Sequence, residues 1–126
     1  QNLYRKKPIS CMDIINDLMW SEPENVQGFH RATHGPGYYF GENDVDEFNR
    51  INKVNLILRS SQLALDGYRE WFNGKLFTVW SAPNYCYRPR NDAAIVEVDQ
   101  YCKIKLKIFE EAPISARFEI PSRYSI

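Results

Sequence analysis

Four short apolar runs in the second half of the sequence constrain its fold more than any other feature. In the last run Ile104, Leu106 and Ile108 alternate with lysines, which is the two-residue period of a strand with one face in water. Runs of this length between polar turns predict strands of one sheet. The four runs are Val54 to Leu58, Leu76 to Trp80, Ala93 to Val98 and Lys103 to Phe109.

Two helices are predicted before these strands. Apolar residues from Met12 to Leu18 recur at helical spacing, and Pro23 disfavours a helix beyond Glu22. A second helix is predicted over residues 45–52, and the Gly-rich and Pro-rich residues 23–41 between the two predict a long loop. Helices and strands together predict an α/β (α+β) fold. The predicted cap of the second helix is Asn43 or Asp44, and its predicted inward residues are Phe48 and Ile51.

Composition excludes several classes of function. Sixteen basic residues balance sixteen acidic ones, so no overall field favours nucleic acid or an anionic membrane as a partner. Three cysteines without CxxC spacing argue against a disulfide framework and a zinc knuckle, which favours a cytoplasmic or nuclear location. No apolar run approaches a membrane span, and the opening residues look like an entry in mid-chain.

Two predicted loops contain residues suited to binding a phosphate. In residues 31–41, Gly35 and Gly37 would let the backbone approach a ligand while Arg31 and His34 supply positive charge, although a plain surface turn would use the same glycines. In residues 76–92, arginines among tyrosines would grip a phosphorylated or acidic partner, and the structural alternative is a hairpin whose arginines cover aromatic rings.

The turn Arg59-Ser60-Ser61-Gln62 ends the first strand run and has two interpretations. Its serines and glutamine would cap a helix over Gln62 to Tyr68, a structural role that needs no ligand. The alternative is a binding turn at a strand end, where sites are commonly built.

Four motifs, in this order and spacing, closely resemble the C-terminal portion of the metal-dependent serine/threonine protein phosphatases of the PPP family. WSAPNYCYR is specific to the group of the 2A, 4 and 6 types, and IFEEAP followed by IPS is most similar to the protein phosphatase 4 type. The motifs are DLMWSEP (17–23), HGPGYYFG (34–41), RSSQLALDGY (59–68) and TVWSAPNYCYRPRN (78–91).

The resemblance implies part of a calcineurin-like metallophosphoesterase β-sandwich flanked by helices. Residues 1–112 would be the C-terminal portion of the catalytic domain, and residues 113–126 an extended tail. The family hydrolyses phosphoserine and phosphothreonine monoesters with water activated by two divalent metals, manganese, iron or zinc. Half a sandwich exposes a sheet edge and an apolar face, so a missing N-terminal half is the expected partner.

Departures from the family pattern imply impaired catalysis. Ser61 stands at the position of a metal-binding histidine, and a hydroxyl binds divalent metal weakly. His34 stands at the position of the phosphate-clamping arginine, without its planar fork. The family's other metal-binding motifs do not occur, so the metals are expected to be absent or incomplete. Tyr85 stands at a position beside the family's catalytic cleft and is expected to be a catalytic residue. The family's substrate and inhibitor loop would be formed here by Asn84, Cys86, Tyr87 and Arg88.

Three functions follow as hypotheses. The first is the C-terminal part of a serine/threonine phosphatase catalytic domain with impaired activity. The second is an inactive pseudophosphatase that acts as a scaffold in a larger assembly, and the third is a stand-alone binding module. Expected partners are the N-terminal half, regulatory or scaffold subunits and phosphoprotein substrates.

Overall fold

Two sheets and two helices make up the computed structural model, which describes Pro8, residues 14–60 and residues 62–116. The predicted α/β class is confirmed. In chain order the elements are α1 (Ile14–Trp20), β1 (Glu22–Pro23), β2 (His30–Arg31), β3 (Tyr38–Phe40), α2 (Glu42–Asn52), β4 (Ile57–Arg59), β5 (Asp66–Trp71), β6 (Leu76–Val79), β7 (Asp92–Val98) and β8 (Ile104–Phe109), with short 3₁₀ helices at Tyr85–Tyr87 and Ile114–Ala116.

The larger sheet has the strand order β4-β6-β5-β7-β8. Strands β5 and β6 form an antiparallel hairpin, β4 runs parallel to β6, and β7 runs parallel to β5. As a result, β4 and β6 end at the edge of the sheet where β5 and β7 begin. The 59–62 turn and the loop after β6 both start from these strand ends, and we call this end of the sheet the site edge.

Each of the four predicted runs contains a strand, although β4 covers only Ile57 and Leu58 of the first run. Two other predictions are wrong. Residues 23–41 are not one loop, because β1, β2 and β3 form a small sheet there in the order β1-β3-β2. The helix predicted over Gln62 to Tyr68 is absent, because β5 begins at Asp66 and pairs with β6 on one side and β7 on the other. Two strand partners outweigh the local helical preference of this segment.

Helix α2 is present, but its cap and its buried face differ from the prediction. Gly41 is the N-cap, and its N–H donates to Asp44 Oδ2 at 2.8 Å. Val45 is the buried residue of the helix, whereas the side chains of Phe48 and Ile51 are 52% and 60% exposed. The prediction of Phe48 and Ile51 as inward residues is therefore wrong within this chain, because nothing in the described part covers that face.

The core is small for a chain of this size. Val45, Trp71 and Leu76 form its buried cluster, with Phe40, Ile57 and Phe72 packed around it. Many large apolar side chains are exposed instead, including Leu18 and Phe29. None of the described helices is long and apolar enough to span a membrane.

A substitution at Gly67 tests the tight packing of β5 against β7. A Cβ atom at Gly67 would lie 2.4 Å from the carbonyl carbon of Ala93, so Gly67→Ala is expected to lower the free energy of unfolding by about 3 kcal/mol. Gly74 is the matched control, since it also has a positive φ but meets only the flexible side chain of Glu70. Gly74→Ala should cost about 1 kcal/mol. Equal losses in denaturant unfolding would contradict this packing.

Candidate functional site

Arg59 joins the segments that meet at the site edge. Its Nη1 donates to Gln62 Oε1 at 3.1 Å and to Thr78 Oγ1 at 3.3 Å, and its Nη2 donates to the carbonyl oxygen of Ser21 at 3.2 Å. One guanidinium therefore connects the 59–62 turn, strand β6 and the end of α1. The planar fork of arginine suits several acceptors in fixed directions.

The guanidinium of Arg59 is partly shielded from solvent. Burial lowers the pKa of the Arg59 guanidinium, and the nearby Glu22 carboxylate partly opposes this effect. Thr78 is 1% exposed, and its Oγ1 also accepts a hydrogen bond from Trp71 Nε1 at 3.3 Å. Because unpaired buried polar groups are costly, this network fixes the Arg59 side chain against Gln62 and strand β6.

Ser21 extends the network to the HGPGYYFG motif. Its carbonyl oxygen accepts from Arg59, while its Oγ accepts the N–H of Tyr38 at 3.0 Å. At Gly37, with φ +96°, an added Cβ would lie 2.7 Å from the carbonyl carbon of Trp20. The glycine here permits close approach of the chain to itself, which is the structural alternative that the sequence left open.

His34, the predicted clamp position, lies in the turn between β2 and β3 and is exposed. Arg31 ends β2 and is also exposed. His30 Nε2 is hydrogen-bonded to the carbonyl oxygen of Gln27 at 2.9 Å. Ser61, the predicted metal position, lies outside the described residues, although its neighbours Arg59 and Gln62 are described and bonded to each other.

The loop from Ala82 to Asn91, here called the 82–91 loop, carries the remaining predicted site residues. Asn91 closes it: its side chain is buried, its Oδ1 accepts the N–H of Tyr85 at 2.9 Å, and its Nδ2 donates to the carbonyl oxygens of Ala82 and Asp92 at 2.9 and 2.7 Å. The loop is no hairpin, because β5 lies between β6 and β7. The hairpin alternative is therefore wrong.

The backbone of the 82–91 loop is strained. Asn84, Cys86, Tyr87 and Arg90 all have positive φ, and such non-glycine conformations persist only where the surroundings hold them. Trp80 supports the loop from below, since its ring meets the ring of Tyr85 edge to face with centroids 4.9 Å apart. Strain of this kind is concentrated at functional sites.

The loop presents its predicted site residues to solvent. Tyr85 and Tyr87 are 47% and 66% exposed, and Cys86 and Arg88 are exposed as well. Neither Cys86 nor Cys102 forms a disulfide. The arrangement is thus a rigid loop whose side chains are available to a partner.

The donor set of the described ranges does not fit a metal centre. Within residues 14–60 and 62–116, no group of three or more His, Cys, Asp and Glu side chains is placed to hold a metal ion. A dinuclear site built from these residues alone is therefore not supported by their placement.

Sequence reasoning identified the loops but missed the residues that hold them. Arg59 was interpreted only as the polar end of a strand, and neither Thr78 nor Asn91 was singled out. A polar residue within or just before an apolar run was the available signal, since Thr78 lies inside the run Leu76 to Trp80, Asn91 lies just before the run Ala93 to Val98, and both are almost fully buried.

Comparisons with known proteins agree with this geometry. No family model matches the chain. The chain is similar to the serine/threonine-protein phosphatase 4 catalytic subunit of Kluyveromyces lactis, with 46% identity over 106 residues. The matched residues are 84% of this chain and 34% of that protein. A solved protein serine/threonine phosphatase from Saccharomyces cerevisiae, described as similar to human phosphatase PP5, matches 76% of the chain with a TM-score of 0.68 and 31% identity. The chain covers 33% of that structure.

The fold of the chain matches part of a solved serine/threonine protein phosphatase. Over its matched residues the chain is similar to serine/threonine phosphatase catalytic subunits, which supports a C-terminal portion of a PPP-family catalytic domain. It spans about a third of the length of the relatives it matches.

Removal of the Asn91 side chain tests its role in closing the loop. Asn91→Ala is expected to lower the free energy of unfolding by about 2 kcal/mol, because the Tyr85 N–H loses its acceptor and the Ala82 carbonyl loses a donor. The control is Asn55→Ala at an exposed position, which should stay within about 0.5 kcal/mol of the parent chain. Similar unfolding curves for both variants would show that Asn91 does not close the loop.

Proposed function

We propose that the chain serves as the C-terminal part of a phosphatase catalytic domain that hydrolyses phosphoserine and phosphothreonine monoesters with impaired activity. The observation that carries this proposal is the Arg59 network, which ties the 59–62 turn, β6 and the strand after the His34 turn together at one edge. Those segments carry the motifs that resemble the family's site. In this proposal His34 occupies the clamp position, and Tyr85 lines the catalytic cleft.

The impairment rests on chemistry at two positions. Ser61 offers a hydroxyl where a neutral imidazole would bind a metal more strongly. His34 offers at most one charged ring where an arginine would clamp two oxygens. Metals, if the complete protein holds them, would have to be bound largely by residues outside this chain, since the described donor set does not fit a metal centre.

The first partner in this proposal is the N-terminal portion of the same catalytic domain. An apolar groove of about 630 Å³ lies between α1, α2 and β4, with Arg59 at its wall. The relatives are more than twice as long as the chain, so they contain enough further chain to cover it. Six of the apolar lining residues are Ile14, Leu18, Phe29, Phe40, Phe48 and Ile57.

Further assignments complete the proposal. Asn84, Cys86, Tyr87 and Arg88 would meet phosphoprotein substrates or inhibitors, and regulatory or scaffold subunits would bind elsewhere on the domain. Residues 113–126 would form an extended tail, of which residues 117–126 lie outside the described residues. The proposed location is the cytoplasm, the nucleus or both.

The alternative is an inactive pseudophosphatase that acts as a scaffold or binding subunit. It is favoured by the contrast between a well-built 82–91 loop, closed by Asn91 and supported by Trp80, and the serine at the metal position. A chain that keeps its contact loop but lacks a ligand can bind phosphoproteins without turnover.

Restoring the two family residues separates these functions. In the polypeptide that carries this chain, isolated with its subunits and assayed with Mn²⁺ on a phosphothreonine peptide, Ser61→His with His34→Arg is expected to raise the rate by on the order of a thousandfold. The matched control is Ser60→His with His30→Arg, which makes the same substitutions at neighbouring positions and should leave the rate unchanged.

Two results would change the proposal. If the parent polypeptide already hydrolyses the peptide as fast as the restored variant, the impairment is wrong. If the variant with Ser61→His and His34→Arg gains no activity while the peptide still binds, the scaffold function replaces catalysis.

A charged residue introduced into the lining of the groove tests whether the N-terminal portion covers the groove. Leu18→Asp is expected to weaken binding to the co-expressed N-terminal portion of the Kluyveromyces lactis subunit at least about tenfold, because a buried leucine contributes about 1.5 kcal/mol or more. Tyr101→Asp is the control, since Leu18 and Tyr101 are both 74% exposed and only Leu18 lines the groove. Equal weakening by both variants, measured by calorimetry, would remove the groove from the interface.

A further inference from the structure

The 82–91 loop is fixed internally at its base, and the backbone N–H of Asn84 donates to the carbonyl oxygen of Asn91 at 2.8 Å, whereas the side chain of Asn84 is held from outside the loop. Asn91 and Trp80 hold the base and the ring of Tyr85. Asn84, with φ 46° and ψ 51°, is the left-handed residue that turns the chain into the short helix Tyr85–Tyr87. The direction of Asn84 therefore decides where Tyr85 and Cys86 point.

A side chain from outside the loop contacts Asn84. The Nδ2 of Asn84 donates to Oε2 of Glu111, which is 27 residues away in sequence. Because the acceptor is a carboxylate, the hydrogen bond is charge-assisted, which makes it stronger than one between neutral groups.

The sheet topology explains why Glu111 reaches the loop. Strand β8 is antiparallel to β7, and their register pairs Phe109 with Ala93. Ala93 follows the end of the 82–91 loop by two positions, so the residues after Phe109 emerge beside the loop. Glu111 is the second of these residues, directly before Ala112 and Pro113.

We propose that Glu111 is a positioning residue of the 82–91 loop, which it controls by holding the amide of Asn84. Glu111 belongs to none of the segments that carry the predicted site residues, and it links the start of the C-terminal tail to the loop. The conformation of Asn84 then depends on where residues 110–112 lie, so a partner that moves this segment also changes the start of the short helix Tyr85–Tyr87. A role of the loop in binding a substrate rests on the proposed function. The contact between Glu111 and Asn84 is independent of that function.

Amide hydrogen exchange on the full chain tests the contact without an activity assay. The Tyr87 N–H donates to the carbonyl oxygen of Asn84 at 2.9 Å and therefore reports on the conformation of Asn84. Glu111→Ala is expected to speed exchange of this amide by up to about tenfold, as expected for loss of one charge-assisted hydrogen bond at the surface. Glu111→Gln keeps an acceptor oxygen and should restore part of the protection.

Controls separate positioning from a general loss of structure. Glu110→Ala removes the same charge from the neighbouring exposed position and should leave exchange at Tyr87 unchanged. Exchange at Ala94 N–H, which donates to Trp80 O at 2.8 Å in the sheet, should stay constant in all variants.

A double variant tests whether Glu111 acts through the side-chain amide of Asn84. Asn84→Gly retains the left-handed backbone while removing the amide, so Glu111→Ala should add nothing to it. Additive effects of the two substitutions, or equal effects of Glu111→Ala and Glu110→Ala, would overturn the proposal. If Glu111 fails and the restored phosphatase variant succeeds, only the positioning role is lost.

Discussion

The structure depends on one partly buried cation, the guanidinium of Arg59. It donates to the side chains of Gln62 and Thr78 and to the backbone of Ser21, and burial lowers its pKa. Desolvating a charge is costly unless its hydrogen bonds are made. These neutral acceptors offset that cost, and in doing so they bring sequence-distant segments to one edge of the sheet. A lysine would not serve in the same way, because it lacks the fixed fork.

The distribution of apolar side chains is that of a partial domain. The buried cluster of Val45, Trp71 and Leu76 is supported by few neighbours, while the groove beside it leaves Leu18, Phe29 and Phe48 largely exposed. Monomeric proteins rarely leave such patches uncovered. The length of the relatives, more than twice that of this chain, agrees with a core completed by further chain.

Sequence patterns predicted the strands well because their signal is local. The alternation of Ile104, Leu106 and Ile108 with lysines needs no knowledge of the partner strand, and β8 lies where it was expected. The segment around Gly67 was predicted as helix because its strand character comes from β6 and β7, which are not visible in a single sequence. The inward face of α2 was misjudged for a related reason, since the pattern of Phe48 and Ile51 fits a face that the described residues do not cover.

The motifs of the sequence indicate candidate site residues but not the residues that support them. Tyr85 and His34 are candidates because their neighbours resemble a known pattern, and in the structure both lie in loops and are exposed. Asn91 and Thr78 were missed because a single polar residue before or within a strand has no distinctive spacing. Their importance comes from hydrogen bonds across the fold, which only the three-dimensional arrangement shows.

The order of the strands also has a consequence for folding kinetics. The β5–β6 hairpin, closed by a turn in which Phe72, Asn73 and Gly74 all have positive φ, occupies the centre of the sheet. Its contacts are local, whereas β4 and β7 join it through longer loop closures, which cost more chain entropy. The hairpin is therefore the natural nucleus, and the outer strands that carry the site edge attach to it afterwards.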